Sequence, residues 1–506
     1  MKRNSIVEHP PRAAYRHSCV RQHSYYSVRR NSQSDLTNSK SLVSLTPDFP
    51  AHTLDFGVFT NARKIIESKN SPLTTPETQQ LVSSTFDRTV LPNGLRILTS
   101  TFRHTNAVSI IFLFGAGSRY ETPELAGASH LFEHMLFKGT PGRPTPRQIS
   151  EVVEGVGGTL NAFTDREVTG YWCRLAQPHY REGIDLLSDM ALNSLFKEED
   201  IVKEKQVVYE EIRASFDSPG ARTSMMLDEL LWPEQPMGRD IAGSVESVGA
   251  ISRVEMLKYL ETQYVASNTV IAVAGNIEHA DVVEQISGLL GGLHDGEILP
   301  MFPYEPKKIE KRVALEHRPT EQAHLAIGLP GFGNTDPDRH ALSIMSVILG
   351  ETMSSRLFEE VREQRGLAYD IHSGAHFYSD CGALIVESGI DPARIDEAIP
   401  VILKELAEMR NGVTEAEWSQ ALELTKGRMM LRMEESRAVS SFLGIQELLR
   451  DKVETVDEIL EKIAAVTMED IKRAANRVIK TENLVLSIVG PFDDASHFEE
   501  MLKFDS

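Results

Sequence analysis

Residues 130–139 read HLFEHMLFKG, and this stretch decides how the rest of the chain is interpreted. If it is helical, His130 and His134 are one turn apart on the same face, and Glu133 projects beside them. Two neutral imidazoles in this arrangement can bind one Zn²⁺, and a neighbouring carboxylate can take a proton from a water that the metal activates. The alternative is a buried helix that carries two unrelated histidines.

The residues around this stretch contain signals for both ends of a helix. Thr122 followed by Pro123 predicts an N-cap and a first-turn proline, and Glu124 suits the positive N-terminus. Gly139 is typical of a helix end. We therefore expect the histidine helix to begin near Thr122.

A second predicted helix, residues 196–214, offers a third metal ligand. Its apolar stripe has a period near 3.6 and consists of Ile201, Val202, Val208 and Ile212. Glu204 and Glu211 are seven residues apart and share one face, while Glu210 is turned about 100° away. A catalytic zinc takes three protein ligands, which favours Glu211, and Glu204 could then orient a ligating histidine. Alternatively, these glutamates lie on a solvent-exposed helix face and have no role in metal binding.

These motifs resemble the short-subunit branch of the pitrilysin/insulinase metallopeptidases, whose inverted zinc motif is HxxEH. Residues 157–164 (GGTLNAFT) and 354–358 (SSRLF) resemble the same branch, and the likeness runs from residue 86 to the C-terminus. It implies a zinc metalloendopeptidase that hydrolyses peptides or unfolded presequence segments. In this family His130, His134 and Glu211 would hold one Zn²⁺ per chain, and Glu133 would be the general base.

The resemblance also implies a way of binding substrate. Residues 159–175 read as one strand, which in the family is a sheet edge onto which the peptide adds as a further strand. Asn161 would then lie near the scissile bond, and Arg356 and Tyr369 would reach the substrate backbone. A plain core strand, a surface arginine and a core tyrosine would fit these positions as well.

Two further interpretations follow from the family. The chain could be a non-catalytic peptide-binding or structural subunit, like the peptidase-derived core proteins of the cytochrome bc1 complex, but its intact ligand set argues against this. The short segment 350–353 (GETM) stands where the family's non-catalytic subunit has a long glycine-rich loop. We therefore expect a homodimer, or a heterodimer with a related non-catalytic subunit.

An internal repeat predicts two duplicated domains. Residues 268–275 are echoed by 483–490, and residues 109–117 are echoed by 323–331. Each half alternates strands with helices, so we expect an α+β fold in which helices cover a mostly antiparallel sheet. In the family two such halves form a clam-like enclosure. The predicted divisions are a catalytic domain at 86–295, a linker at 296–312 and a second domain at 313–506, whose segment 341–350 lacks His and acidic residues.

Composition is that of a globular protein, with 41% hydrophobic and 25% charged residues. The three cysteines form no pairable framework, which favours a reducing compartment. The longest apolar run, at 107–117, is too short to span a membrane. A formal net charge of −20 favours a cationic or extended peptide as partner and disfavours nucleic acid.

The N-terminal segment differs from the rest of the chain. Residues 1–50 hold eight Lys or Arg against three acids, a net charge of +5, and leave −25 for the remainder. Residues 1–85 are rich in Ser and Arg without hydrophobic periodicity, so we expect a disordered segment. It is either a mitochondrial transit peptide or a spurious extension of a bacterial gene. The location would be the matrix in the first case and the cytoplasm in the second.

Overall fold

The structure is a computed structural model that describes residues 85–504. The prediction of a disordered segment at 1–85, and its two explanations, therefore lie almost entirely outside the described residues. Within 85–504, no helix is both long and apolar enough to cross a membrane.

The first half forms a six-stranded sheet with the order β1-β2-β6-β3-β5-β4. Its elements are β1 (Asp87–Val90), β2 (Arg96–Thr101), β3 (Ala107–Phe114), α1 (Ala128–Met135), α2 (Pro146–Glu154), β4 (Thr159–Thr164), β5 (Thr169–Ala176), α3 (Tyr180–Asn193), α4 (Glu198–Asp217), α5 (Pro219–Leu231), α6 (Val245–Ala250), α7 (Arg253–Gln263), β6 (Thr269–Gly275) and α8 (His279–Leu290).

The second half forms a five-stranded sheet with the order β7-β11-β8-β10-β9. Its elements are β7 (Val313–His317), β8 (Ala323–Pro330), α9 (Arg339–Gly350), β9 (Ala368–Phe377), β10 (Gly382–Ile390), α10 (Ile395–Glu408), α11 (Glu415–Arg432), α12 (Ser436–Arg450), α13 (Val456–Ala464), α14 (Met468–Val478), β11 (Val485–Gly490) and α15 (Ala495–Met501).

The two sheets have the same topology. The strands β2, β6, β3, β5 and β4 occupy the places of β7, β11, β8, β10 and β9. In each sheet one pair is parallel, β2 with β6 and β7 with β11, and the other pairs are antiparallel. The predicted duplication, with helices over mostly antiparallel sheets, is therefore confirmed.

Each sheet is covered on one face by a helix of the other half. Val439 and Leu443 of α12 pack against Ile111 and Leu113 on β3 of the first sheet. Reciprocally, α5 buries its apolar side chains, Leu227 among them, against the second sheet. Burial of this apolar surface holds the two halves together, and the described residues 85–504 belong to one compact unit.

Two local predictions are wrong. The histidine helix α1 begins at Ala128, because residues 123–125 form a separate single turn of 3-10 helix. Residues 159–175 are two antiparallel strands joined at residues 165–168, so that Thr164 pairs with Thr169. The turn sequence DREV contains neither Gly nor Pro, which is why no break was predicted there.

Candidate metal centre

The helix α1 is fixed at its N-terminus by a buried carboxylate. Glu121 accepts hydrogen bonds from the backbone N–H groups of Gly127 (2.8 Å) and Ser129 (2.6 Å). Gly127 has φ +92°, and a Cβ there would lie 2.5 Å from the carbonyl oxygen of Ala242. Burial raises the pKa of Glu121 to about 7, although both N–H groups favour its ionised form.

The histidines of α1 meet a glutamate of α4. His130 and His134 have ring centroids 4.6 Å apart. Glu211 Oε2 lies 3.7 Å from Nε2 of His130 and 3.6 Å from Nε2 of His134. Within residues 85–504, these three side chains are the one group of three or more His, Cys, Asp or Glu whose donor atoms lie close enough to share an ion.

The apolar face of α4 turns Glu211 toward α1. Ile201, Val208 and Ile212 are buried in the core that also contains Leu131 of α1. Val202, which the sequence placed in the same stripe, is 62% exposed. Glu210 is exposed and pairs with Arg213 one turn along, so it is not part of the metal group.

The donor set fits a zinc ion. Ligand atoms about 2.1 Å from a tetrahedral zinc lie about 3.4 Å apart. The distances from Glu211 Oε2 to Nε2 of the two imidazoles are within a few tenths of an ångström of that value. Two imidazoles and one carboxylate are also a normal ligand set for catalytic zinc, which keeps a fourth position open.

Glu204 fixes the tautomer of His134. Its carboxylate accepts from His134 Nδ1 (2.8 Å) and from Lys138 Nζ (2.5 Å). Burial disfavours the charged form of Glu204, but these two hydrogen bonds outweigh it and hold the pKa below its ordinary value. Because an ionised carboxylate can only accept, Nδ1 of His134 carries a proton, which leaves Nε2, the nitrogen near Glu211, as the one available to bind a metal.

Glu133 lies on the same helix and is 6% exposed. Its Oε2 accepts a hydrogen bond from the hydroxyl of Thr164 (2.6 Å), which links α1 to β4. Desolvation raises the pKa of Glu133, and the Thr164 hydroxyl offsets part of that rise. A carboxylate with a raised pKa beside a candidate metal site is suited to general base chemistry.

Asn161 lies on β4, which is an edge strand of the first sheet within the described part of the chain. Because side chains alternate along a strand, its side chain is on the face opposite that of Thr164. Its Oδ1 accepts from the backbone N–H of Ala162 (2.8 Å).

The structure does not bring Arg356 and Tyr369 into the metal group. Arg356 forms two hydrogen bonds with the carboxylate of Glu417 on α11, at 2.6 and 2.9 Å. Tyr369 is 68% exposed, and the guanidinium of Arg362 lies 4.6 Å from its ring centroid.

A cavity of about 1110 Å³ opens beside the C-terminal half of α4. Ile212, which follows Glu211, lines it together with Phe216, Met225 and Trp232. Its other lining includes more carboxylates than guanidiniums: Glu121, Asp217, Glu229, Glu234, Asp240 and Glu246, against Arg213 and Arg239.

Three residues of this centre were missed at the sequence level. Lys138 is four residues after His134 and could have been placed on the same helix face. Thr164 lies in the quoted GGTLNAFT motif, but its partner Glu133 is 31 residues away. No periodic pattern indicated Glu121, because it precedes the helix that it caps.

The chain matches the family model for insulinase (peptidase family M16) at residues 96–245 and that for the M16 inactive domain at residues 250–424. It is 36% identical to an uncharacterized zinc protease of Streptomyces coelicolor over 81% of this chain and 90% of that protein. A protease from Helicobacter pylori has a similar fold, with a TM-score of 0.76 and 21% identity over 80% of this chain and 99% of that one. A chain of Complex III2 from Candida albicans is also similar, with a TM-score of 0.71 and 22% identity over 82% and 99%.

Proposed function

This chain belongs to the insulinase family of M16 peptidases, and we propose that it is a zinc-dependent endopeptidase acting on peptides or unfolded segments. The observation that carries the proposal is the meeting of His130, His134 and Glu211. Glu133, buried one residue before His134, supplies the base that such a reaction needs.

His130, His134 and Glu211 would hold the metal. A bound Zn²⁺ supplies Lewis acidity, which polarises a peptide carbonyl and lowers the pKa of water. Glu133 takes a proton from the attacking water and returns it to the leaving amine. Glu204 keeps the His134 ring oriented, and Thr164 holds the Glu133 carboxylate in place.

The edge strand β4 would bind the substrate as an additional strand. Its backbone N–H and C=O groups on the edge away from β5 can pair with an extended peptide. Thr164 joins this strand to Glu133, so a peptide bound along β4 would run close to the base. Asn161, whose side chain is on the other face of β4 from Thr164, would contact the bound peptide from that face.

The cavity beside α4 would select substrate side chains. Ile212, Phe216, Met225 and Trp232 offer apolar surface to a large side chain. The excess of carboxylates in its lining favours a basic residue nearby. We therefore expect peptides that combine a large apolar residue with Lys or Arg to be preferred.

A second candidate is a non-catalytic or structural subunit. The similarity in fold to a chain of Complex III2 favours it, as does the match of residues 250–424 to a domain described as inactive. Such a subunit would bind zinc without turnover. The retained base Glu133 and the complete ligand group support the peptidase instead.

The test uses the purified full chain. Zinc content is measured by metal analysis, and cleavage of a quenched fluorogenic peptide is followed with and without chelator. We expect about one zinc per chain and activity that chelation abolishes and zinc restores. Zinc binding without cleavage across a set of basic and apolar peptides would favour the subunit. The molecular mass of the same sample in solution tests whether the chain forms the dimer that the sequence predicts.

A further inference from the structure

A second cavity, of about 770 Å³, lies in the second half of the chain. The loop before α9 forms one side, the C-terminal end of α12 another, and α13 and α14 complete it. Its volume is in the range of small-molecule sites. None of the residues proposed for the metal centre lines it.

Three cationic side chains of this cavity share one carboxylate. Glu454 is 8% exposed, and its Oε2 accepts from Arg339 Nη2 (2.7 Å) and Arg450 Nη1 (3.3 Å). Its Oε1 accepts from the ammonium of Lys462. Lys452 also lines the cavity. The Glu454 carboxylate therefore lies among up to four cationic side chains.

Three further carboxylates line this cavity, and each pairs with an arginine. Arg473 forms ion pairs with Asp338 (2.5 Å) and Asp470 (2.7 Å). Arg477, just outside the cavity, forms ion pairs with Asp338 and Asp336, the latter at 2.8 Å. These three carboxylates face two guanidiniums, so the cavity and its border together hold four carboxylates and six cationic groups, a small excess of positive charge.

The positive potential acts on a neighbouring imidazole. His340 lines the cavity, and burial together with the charges of Arg339, Lys462 and Arg450 lowers its pKa to about 4. It is therefore neutral at physiological pH and does not add to the charge. Burial and the nearby charge of Arg339 also lower the pKa of Arg450.

We propose that this cavity binds a small oxyanion of the phosphate class through Arg339, Arg450 and Lys462. Guanidinium groups present paired N–H donors that match phosphate oxygens, and an ammonium adds a point charge. Such a ligand would offset the small excess of positive charge that remains after the four carboxylates are counted. The protein as a whole carries a net charge of −20, so this local excess of cations is unlike the average of the chain.

Binding there would strengthen the contact between the two halves. Arg450 is the last residue of α12, whose Val439 and Leu443 pack against the first sheet. Arg88 of the first half also pairs with Glu447 of α12 (2.8 Å). Fixing the end of α12 with a ligand bound only in the folded state raises stability by mass action.

The experiment titrates inorganic phosphate into the full chain by calorimetry, with chloride at equal ionic strength as reference. A phosphate monoester is titrated in parallel. The ligand with the lower dissociation constant shows whether the cavity takes free phosphate or a phosphate ester. Glu211→Gln serves as a second background, in which phosphate binding should persist because the cavity is separate from the metal group. Loss of binding in that background would assign the phosphate to the metal centre and overturn the proposal.

Lys462→Met should weaken phosphate binding by about tenfold or more, because one of three charged donors is lost. Lys462 is half exposed, so this variant is expected to fold. Lys426→Met is the matched control, since Lys426 pairs with Glu423 on α11 and does not line the cavity. Glu454→Gln should show a larger rise in melting temperature on adding phosphate than the wild type. Absence of saturable phosphate binding, or equal affinity in Lys462→Met and wild type, would refute the proposal.

Discussion

Replacing Glu204 with glutamine tests how the metal centre is built. The Glu204 carboxylate accepts hydrogen bonds from His134 Nδ1 at 2.8 Å and from Lys138 Nζ at 2.5 Å. A glutamine has one acceptor oxygen, so its amide N–H₂ would have to face one of these two donors. The remaining hydrogen bond would also lose the negative charge that makes such contacts roughly twice as strong as neutral ones.

We expect Glu204→Gln to weaken zinc binding by about 10–100-fold, the usual effect of losing the group that orients a ligating histidine. This corresponds to about 1.4–2.7 kcal/mol of binding free energy. Zinc affinity is measured by competition with a chromophoric chelator, and the unfolding midpoint of the metal-free protein is measured alongside. The affinity should fall while the fold remains intact.

Two variants serve as controls for this effect. Glu210→Gln removes a carboxylate from the same helix that is exposed and paired with Arg213, so zinc affinity should not change. Lys138→Met keeps the Glu204 carboxylate and should weaken zinc binding less than Glu204→Gln. Unchanged zinc affinity in Glu204→Gln, or an equal loss in Glu210→Gln, would refute the role given to Glu204.

Three further predictions concern stability and pH. Arg119→Met should lower the free energy of unfolding in urea by about 3–5 kcal/mol, because Arg119 is fully buried and its loss leaves Glu167 without the ion pair at 2.6 Å. As a control, Arg147→Met removes an exposed ion pair and should lower the free energy of unfolding by less than about 1 kcal/mol. The pKa of Glu121 is raised from 4.5 to about 7, so the folded state holds this proton more tightly, and the free energy of unfolding should fall as pH rises through that interval. In Glu121→Gln the dependence of the free energy of unfolding on pH should be weaker, and an unchanged dependence would contradict the raised pKa of Glu121. Gly127→Ala should lower both thermal stability and zinc content, since φ +92° and the nearby Ala242 carbonyl leave no room for a Cβ; wild-type values for both would count against this account of α1.

The fold could be predicted largely because the sequence repeats itself. The echo of residues 268–275 in 483–490 corresponds to β6 and β11, which occupy the same place in the two sheets. Helical periodicity also placed Glu211, rather than Glu210, on the side of α4 that faces α1. Both inferences rest on patterns that can be read from a single sequence, namely an internal repeat and a helical period.

Other features depend on contacts between distant residues. The helix α1 begins at Ala128, and its first turn is capped by Glu121, which lies outside any helical pattern. The exchange of α5 and α12 between the two sheets joins residues that are far apart in the sequence, and composition does not indicate it. The partner of Arg356, Glu417, is likewise remote in sequence.

The most direct test of the proposed chemistry is Glu133→Gln. The variant keeps the three candidate ligands, so it should retain about one zinc per chain by metal analysis. It loses the carboxylate that would take the proton from water, so turnover of the fluorogenic peptide should fall by about 10²-fold or more. A variant that binds zinc and cleaves the peptide at the wild-type rate would contradict the assignment of Glu133 as the base.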